Sequence, residues 1–218
     1  MKAIIFDLDG TLIDSLDDIA KSMNDVLRQL GYKEHKIEDY KHFVGDGALI
    51  LVQNSLPKEC PKEEIQKAFD LFIEIYELGI HHDTKPYEGI YDLLEKLSHT
   101  SFKLGILSNK PHDITNQYAK KLFSDFNFEE VHGQKESIPK KPHPKGALDI
   151  ARNFNLRPEE IFFVGDTATD MKTAQNANMK SIGVLWGFRP KQELIESGAD
   201  FTAIDCAQLW QIINEHQN

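Results

Sequence analysis

Residues 1–12, MKAIIFDLDGTL, give the strongest indication of the fold. Residues 3–6 form a short apolar run rich in strand-favouring side chains, which predicts a strand buried on both faces of a parallel sheet. Asp7 and Asp9 follow directly, and alternate residues of an extended chain point to the same side. We therefore expect both carboxylates to face one crevice, at the carboxyl end of a strand, where ligands of open α/β sheets bind.

The two acids predict a cation site. Carboxylates this close repel each other, so the pKa of one should rise unless a cation lies between them, and a hard divalent cation such as Mg²⁺ suits the pair. An EF-hand calcium loop also uses spaced acids, but it needs flanking helices and a glycine at its sixth position, where this chain has Leu12. A chance acidic strand end is the remaining alternative.

Composition restricts the classes of function. The chain has 218 residues, 40% hydrophobic and 28% charged, which is ordinary for one large globular domain or a core with an inserted module. A formal net charge of -10 argues against a nucleic-acid partner and requires that any anion site be locally positive. We expect no signal peptide, because the apolar start is only a few residues long and runs straight into Asp7, and no membrane span, because no apolar run approaches ~20 residues. Cys60 and Cys206 show no metal spacing, so we expect free thiols and a cytoplasmic location.

Hydrophobic periodicity divides the chain into two parts. Apolar residues recur at helical spacing from Leu16 to about His82, whereas strand and helix patterns alternate from Lys85 onward. The sequence therefore predicts a Rossmann-like, doubly wound parallel α/β sheet built from residues 1–15 and 83–218, with residues 16–82 inserted as a helical cap domain. Further strands are expected at 103–107, 160–164 and 180–185, with weaker ones within 126–132 and 201–204.

Ser108 and Asn109 follow one of these predicted strands. Their hydroxyl and amide groups can donate to phosphate oxygens, although a turn or a helix cap would explain the pair equally well. Lys110, the next residue, either lies near such a phosphate or faces solvent.

Two more polar clusters follow later in the chain. Lys141 precedes Pro142, which restricts the lysine backbone to extended geometry while its ammonium can offset the charge of a phosphoryl group. A solvated surface lysine is the alternative. Asp166 and Asp170 flank a turn after the strand at 160–164 and suit metal coordination, with helix capping as the alternative.

These clusters, in this order, resemble the motifs of the haloacid dehalogenase (HAD) superfamily in its phosphatase form: Asp-x-Asp-Gly-Thr-Leu, Ser-Asn, Lys-Pro and Gly-Asp-x-x-x-Asp. The resemblance covers essentially the whole chain, including a helical cap after the first motif. It implies that Asp7 is a nucleophile that becomes a phospho-aspartate. It also implies that Asp9 protonates the leaving alcohol and then activates water; a dehalogenase would lack this second acid.

The same resemblance implies the remaining roles. Mg²⁺ would be held by a carboxylate oxygen of Asp7, the backbone carbonyl of Asp9, and Asp166, with Asp170 supporting the metal through water or Lys141. Lys141 would offset charge at the nucleophile. The phosphoryl group would be bound by two further residues, Ser108 and Asn109.

Within the superfamily the chain is most similar to the phosphoglycolate phosphatases, on residues 11–15, the loop 44–47, the stretch 86–89 and Trp186-Gly187. The resemblance implies Mg²⁺-dependent hydrolysis of 2-phosphoglycolate by a monomer or small homo-oligomer. Related enzymes contact the substrate through this loop, where backbone amides of Gly45 and Gly47 are expected to approach a carboxylate. Asp46 conflicts with that expectation, because an acid there would repel an anion.

Alternatives stay open for the substrate and for the class. The substrate would be a small phosphorylated metabolite, and pyrophosphate or a sugar phosphate are alternatives to 2-phosphoglycolate. A phospho-accepting signalling module of the response-regulator kind also places acids, a hydroxyl and a lysine on a doubly wound sheet, but it lacks a large helical insertion. His81 and His82 suggest a hinge or cleft role or simple solvent exposure, whereas Tyr76 is expected to lie in the core of the cap.

Overall fold

The fold is organised around strand β1 (Ala3–Phe6), whose four residues are all fully buried. The structure is a computed structural model that describes residues 1–79 and 83–216. The six strands of the main sheet are all parallel and lie in the order β5-β4-β1-β6-β7-β8. The other five are β4 (Lys103–Pro111), β5 (Phe128–Gln134), β6 (Ile161–Gly165), β7 (Lys180–Val184) and β8 (Phe201–Ala203).

The strand order reverses direction at β1. Its two neighbours are β4 on one side and β6 on the other, and later strands are added outward from each of them. This arrangement leaves a crevice at the carboxyl end of β1, which is the position where open α/β sheets bind ligands. The prediction of a doubly wound, Rossmann-like parallel sheet is confirmed.

Both faces of the sheet are covered by helices. Ile5 packs into one apolar cluster and its neighbours Ile4 and Phe6 pack into another, as expected when alternate side chains of a strand point to opposite faces. Helices α6 (Lys145–Asn153) and α7 (Ala168–Asn176) contribute to the first cluster. The second cluster contains residues of α4 (Ile90–Ser98), α5 (His112–Phe123) and α9 (Cys206–Glu215). The short helix α8 (Lys191–Glu196), which the sequence did not predict, packs beside β7 and β8.

The segment from residue 16 to residue 79 contains three helices, as predicted: α1 (Leu16–Gln29), α2 (Ala48–Ser55) and α3 (Lys62–Leu78), with a 3₁₀ turn at Ile37–His42. Helix α1 buries Ile19, Met23, Val26 and Leu27, which share one face at helical spacing. Among the described residues of this helical segment, 16–79, none lies in a strand. His81 and His82 lie outside the described residues.

A small antiparallel pair joins the two ends of the helical segment. Strand β2 (Ile13–Asp14) precedes it, strand β3 (Lys85–Pro86) follows it, and Ile13 pairs with Pro86. The sequence did not predict this pair, because two residues are too few to show periodicity.

Strands β4 and β5 are longer than the sequence predicted. Strand β4 continues through Ser108, Asn109 and Lys110 to Pro111, with a register shift against β5 after Leu107. The polar residues therefore form the last part of the strand itself. No helix in the part of the chain that the structure describes is both long and apolar enough to cross a bilayer.

Candidate active site

Four predicted site segments meet at the carboxyl edge of the sheet. Asp7 follows β1, and its backbone N–H donates to the carbonyl of Val164 on β6 at 2.8 Å, which holds the acid beside the β6 turn. Asp166 follows β6 directly, and Asp170 lies in the first turn of α7. Parallel strands end at one edge of the sheet, so residues about 160 positions apart become neighbours.

A buried acidic cluster lies at the centre of this edge. Asp7, Asp166 and Asp170 each place a carboxylate oxygen within 4.8 Å of the others. The ammonium of Lys141 lies 2.8 Å from Asp7 Oδ1 and 2.7 Å from Asp170 Oδ1, and its side chain is only 2% exposed. Lys141 is therefore a buried member of the site, which excludes the alternative of a solvated surface lysine. Three carboxylates against one ammonium leave two negative charges uncompensated within this cluster.

The pKa values of the cluster reflect first its burial and then the charges within it. Burial raises the pKa of Asp7 to about 7; Lys141 opposes the rise and Asp170 reinforces it. Burial, and then the charges of Asp170 and Asp7, hold the pKa of Asp166 well above its ordinary value. Burial lowers the pKa of Lys141, but the neighbouring charges of Asp170 and Asp7 outweigh it and the net direction is upward.

The cluster fits a hard divalent cation. Oxygen donors are what such cations prefer, and the uncompensated charge matches that of one dication. Asp7 Oδ1 is buried and is held by the described residues through its ion pair with the Lys141 ammonium at 2.8 Å. Gly10 keeps the space beside Asp166 open, since a Cβ at this position would lie 2.3 Å from Asp166 Oδ2.

Asp166 and Asp170 are held differently. Asp166 accepts single hydrogen bonds from Thr11 Oγ1 at 3.2 Å and from the N–H of Phe188 at 2.8 Å. Asp170 Oδ2 accepts from both the N–H and the hydroxyl of Thr167, at 3.0 and 2.7 Å, while its Oδ1 accepts from Lys141. Asp170 is thus a helix-capping residue that also fixes Lys141, and its part in metal binding stays a prediction.

Asp9 lies in a separate polar group beside this cluster. Lys110 Nζ donates to both of its carboxylate oxygens, at 3.0 and 3.1 Å, and the hydroxyl of Ser15 donates to Oδ1 at 2.5 Å. The same ammonium donates to the hydroxyl of Tyr76 at 2.7 Å. Lys110 is buried, so of its two predicted positions the one near the site is correct.

The side chains of Ser108 and Asn109 on β4 differ in the number of hydrogen bonds that they make. The buried hydroxyl of Ser108 lines a cleft beside Asp7 and accepts the N–H of Lys110 at 3.2 Å. The side-chain amide of Asn109 donates to the carbonyls of Gly45 and Lys141, both at 3.1 Å, and its oxygen accepts the N–H of Lys141 at 2.8 Å. The Asn109 amide is therefore committed to joining three segments of backbone. A phosphoryl contact would have to come from its main chain or replace one of these bonds.

The comparison with known families decides what this arrangement is. A family model described as haloacid dehalogenase-like hydrolase matches residues 4–184. The chain belongs to this family. The HAD resemblance inferred from the four motifs is confirmed, and the chain is an enzyme of the hydrolase class.

Relatives of this HAD hydrolase match it over nearly its whole length. It is 31% identical over 217 residues to a phosphoglycolate phosphatase of Psychrobacter arcticus, covering 92% of this chain and 93% of that one. It is 30% identical to a phosphoglycolate phosphatase of Aquifex aeolicus, covering 99% and 98%. A solved structure from Lactobacillus delbrueckii subsp. bulgaricus matches with a TM-score of 0.92 at 27% identity, covering 97% and 98%.

The loop 44–47 of the HAD hydrolase closes over the carboxyl edge of the sheet. Gly45 and Gly47 have φ values of +112° and +92°, which glycine adopts without strain, and both line the cleft. Asp46 Oδ1 accepts from Thr169 Oγ1 on α7 at 2.7 Å, so its carboxylate is held against the core. The predicted conflict between Asp46 and an anionic substrate is thereby reduced. Arg189 also fixes the loop, by donating to the carbonyl of Val44 at 2.9 Å.

The cleft between the helical segment and the sheet holds about 520 Å³ of empty space, part of which is open to solvent. One wall carries the polar residues of the sheet edge, including Asp7, Asp9 and Ser108. The facing wall is largely apolar and comes from the helical segment. Its apolar side chains are Ile19, Val44, Ala48, Leu51 and Phe72.

The sequence did not predict the contacts that three further residues make in the site. Tyr76 was expected in the helical core; its ring is buried there, but its hydroxyl reaches Lys110. Thr11 belongs to the first motif and bonds Asp166. Thr167 could have been found from the sequence, because a threonine three residues before an acid is a capping-box pattern.

Proposed function

We propose that this HAD hydrolase is a Mg²⁺-dependent phosphatase that hydrolyses a small phosphate monoester, 2-phosphoglycolate, through a phospho-aspartate at Asp7. The observation that carries the proposal is the position of Asp7: its carboxylate lies at the base of the cleft, beside the Lys141 ammonium and within the acidic cluster. The names of the curated relatives support the choice of substrate.

The proposed division of the chain follows the cleft. Residues 1–15 and 83–218 form the core domain and residues 16–82 form the cap. Asp7, Asp166 and the backbone carbonyl of Asp9 would hold Mg²⁺, with Asp170 acting through Lys141. Bound there, the cation compensates charge on the cluster and on the phosphoryl oxygens.

In the first proposed step a carboxylate oxygen of Asp7 attacks phosphorus, and the bond between phosphorus and the leaving oxygen breaks. The proton of the Asp9 carboxyl moves to the leaving oxygen, which departs as the alcohol. Lys141 offsets charge on the phosphoryl group, and the Ser108 hydroxyl and the Asn109 main chain bind its oxygens.

In the second step water attacks the phosphorus of phospho-Asp7. The Asp9 carboxylate takes a proton from this water, and the bond between phosphorus and the Asp7 oxygen breaks. Inorganic phosphate leaves, the Asp7 carboxylate is restored and Asp9 is again protonated, so atoms and protons balance over the cycle.

The shape of the cleft supports a small substrate. A sugar phosphate would place several hydroxyls against the apolar wall formed by Ile19, Leu51 and Phe72, where they would lose hydrogen bonds to water without replacing them. Glycolate has one carboxylate to place, and the backbone amides of Gly45 and Gly47 are the proposed contacts. A cytoplasmic location and a small phosphorylated metabolite as partner accompany this proposal.

Phosphate release from a panel of esters tests the proposal. The panel contains 2-phosphoglycolate, pyrophosphate and several sugar phosphates, each measured with Mg²⁺ and with a chelator. We expect Mg²⁺-dependent release with a clear preference for 2-phosphoglycolate. Equal turnover of all esters in the panel would contradict the assignment of 2-phosphoglycolate as the substrate. Turnover that persists in the chelator would contradict the proposed dependence on Mg²⁺.

A further inference from the structure

The buried Lys110–Tyr76 contact joins the sheet to the helical segment at Asp9. Lys110 lies near the end of β4, and its ammonium stands 4.6 Å from the ring centre of Tyr76 and 5.2 Å from that of Tyr118. The side chain of Lys110 is 4% exposed and that of Asp9 is 18% exposed. The ammonium is thus enclosed by two aromatic rings and one carboxylate.

The donors of Lys110 are matched by protein acceptors. An ammonium carries three N–H groups, and the acceptors here are both oxygens of Asp9 and the hydroxyl of Tyr76. This ammonium is therefore engaged by the protein and is not held ready for a substrate carboxylate. Together with the Ser15 hydroxyl, it fixes the orientation of the Asp9 carboxylate from two sides.

The contact continues as a chain of buried hydroxyl groups. The Tyr76 hydroxyl lies 3.3 Å from that of Tyr118, which lies 3.2 Å from Thr84 Oγ1. Thr84 donates in turn to Asp18 Oδ2 at 2.5 Å. Asp18 lies in the first turn of α1 and Thr84 just precedes β3. This series of hydrogen-bonded groups therefore ends where the helical segment leaves and rejoins the sheet.

We propose that Lys110 is a positioning residue for Asp9, and that the Tyr76 hydroxyl on α3 completes this position when the helical segment is seated on the sheet. The inference rests on the proposed function, in which Asp9 transfers a proton in both steps. A misplacement of about 1 Å in a reacting group can cost about 100-fold in rate. The orientation of Asp9 is therefore expected to affect proton transfer more than attack by Asp7.

Two variants test this proposal, each with a matched control. Lys110→Met keeps the stem and removes the ammonium, and Lys120→Met removes an exposed lysine of α5. Tyr76→Phe keeps the ring and removes the hydroxyl, and Tyr91→Phe does the same at a position that is 47% exposed. Circular dichroism and thermal unfolding check the fold of each variant.

The measurement is rapid-quench kinetics with Mg²⁺, using p-nitrophenyl phosphate and 2-phosphoglycolate. Nitrophenolate leaves without needing a proton, so its initial burst reports attack by Asp7 alone. We expect Lys110→Met to keep a burst of about one equivalent per site and to accumulate phosphoenzyme. Its steady-state turnover should fall about 10-fold to 100-fold, because loss of general acid–base catalysis costs at least this much.

With 2-phosphoglycolate, whose alkoxide needs a proton, Lys110→Met should also slow the first step. Tyr76→Phe should lower turnover by about threefold to tenfold, in keeping with the loss of one hydrogen bond. Both controls should match the wild-type protein.

The outcomes separate the proposals. Loss of the burst in a folded Lys110→Met protein, or turnover equal to that of Lys120→Met, would overturn the positioning role. If Lys110→Met does not fold, Tyr76→Phe decides, and turnover equal to that of Tyr91→Phe counts against the role. A wild-type protein that releases phosphate from no ester would overturn the proposed function as well.

Discussion

Asp7 and Asp9 are two residues apart, yet the protein surrounds them in opposite ways. Asp7 shares one ammonium with Asp170 and lies against Asp166, so its surroundings carry excess negative charge. Asp9 has the ammonium of Lys110 at both oxygens and a serine hydroxyl besides. The carboxylates around Asp7 therefore leave charge for a bound cation to compensate, whereas Asp9 already has a counter-charge from Lys110. In the proposed mechanism, a metal-binding end and a proton-transferring end thus adjoin within one motif.

Substitution of Asp7 should reduce activity more than any other change proposed for the site. Asp7→Asn keeps the size of the side chain but removes the nucleophilic oxygen charge, so hydrolysis of 2-phosphoglycolate should fall by about 10⁴-fold or more. Phosphate release is the measurement, and Asp125→Asn, at an exposed position just after α5, is the control. Retained activity in a folded Asp7→Asn protein would contradict the role of Asp7.

Substitutions of Asp166 and of Asp9 should change the stability of the metal-free protein in opposite directions. Asp166→Asn removes one of the mutually repelling buried carboxylates, so it should raise the melting temperature of the metal-free protein. Asp9→Asn should lower the free energy of unfolding by about 1–3 kcal/mol, because it leaves the buried ammonium of Lys110 without a charged partner. Thermal and urea unfolding in chelator check both. If both substitutions raised or both lowered the stability of the metal-free protein, Asp166 and Asp9 would not differ in charge compensation as described.

The smallest effect concerns Asp46. Its carboxylate is bound by Thr169 and does not line the cleft, so Asp46→Asn should change KM for 2-phosphoglycolate by less than about threefold. A tenfold fall in KM would instead show that this acid repels the substrate, and the loop would then have to adopt another conformation during turnover.

In the sequence, Asp7 and Asp166 are indicated by local patterns, whereas Ser108 and Lys141 are indicated by the resemblance to the HAD motifs, and the fold then brings all four together. No contact across the molecule had to be known for that step. The buried position of Lys141 was left open, since a lysine before a proline is equally compatible with the surface.

The remaining contacts depend on how the helical segment seats on the sheet. Tyr76 and Lys110 are 34 positions apart, and helical periodicity gives only the buried side of Tyr76, not the partner of its hydroxyl. The same holds for Asp46, whose partner Thr169 lies 123 positions away. Short elements such as β2 and β3 carried no periodic signal at all.

The pairing of β2 with β3 has a consequence for how such a chain can change over evolution. Paired strands lie about 4.8 Å apart, so the points where the helical segment starts and ends are neighbours. The helical segment therefore connects two neighbouring points beside the sheet, as a loop would. A change within this segment would therefore leave its paired ends in place, but it would remove contacts that reach the site, such as that of Tyr76 with Lys110.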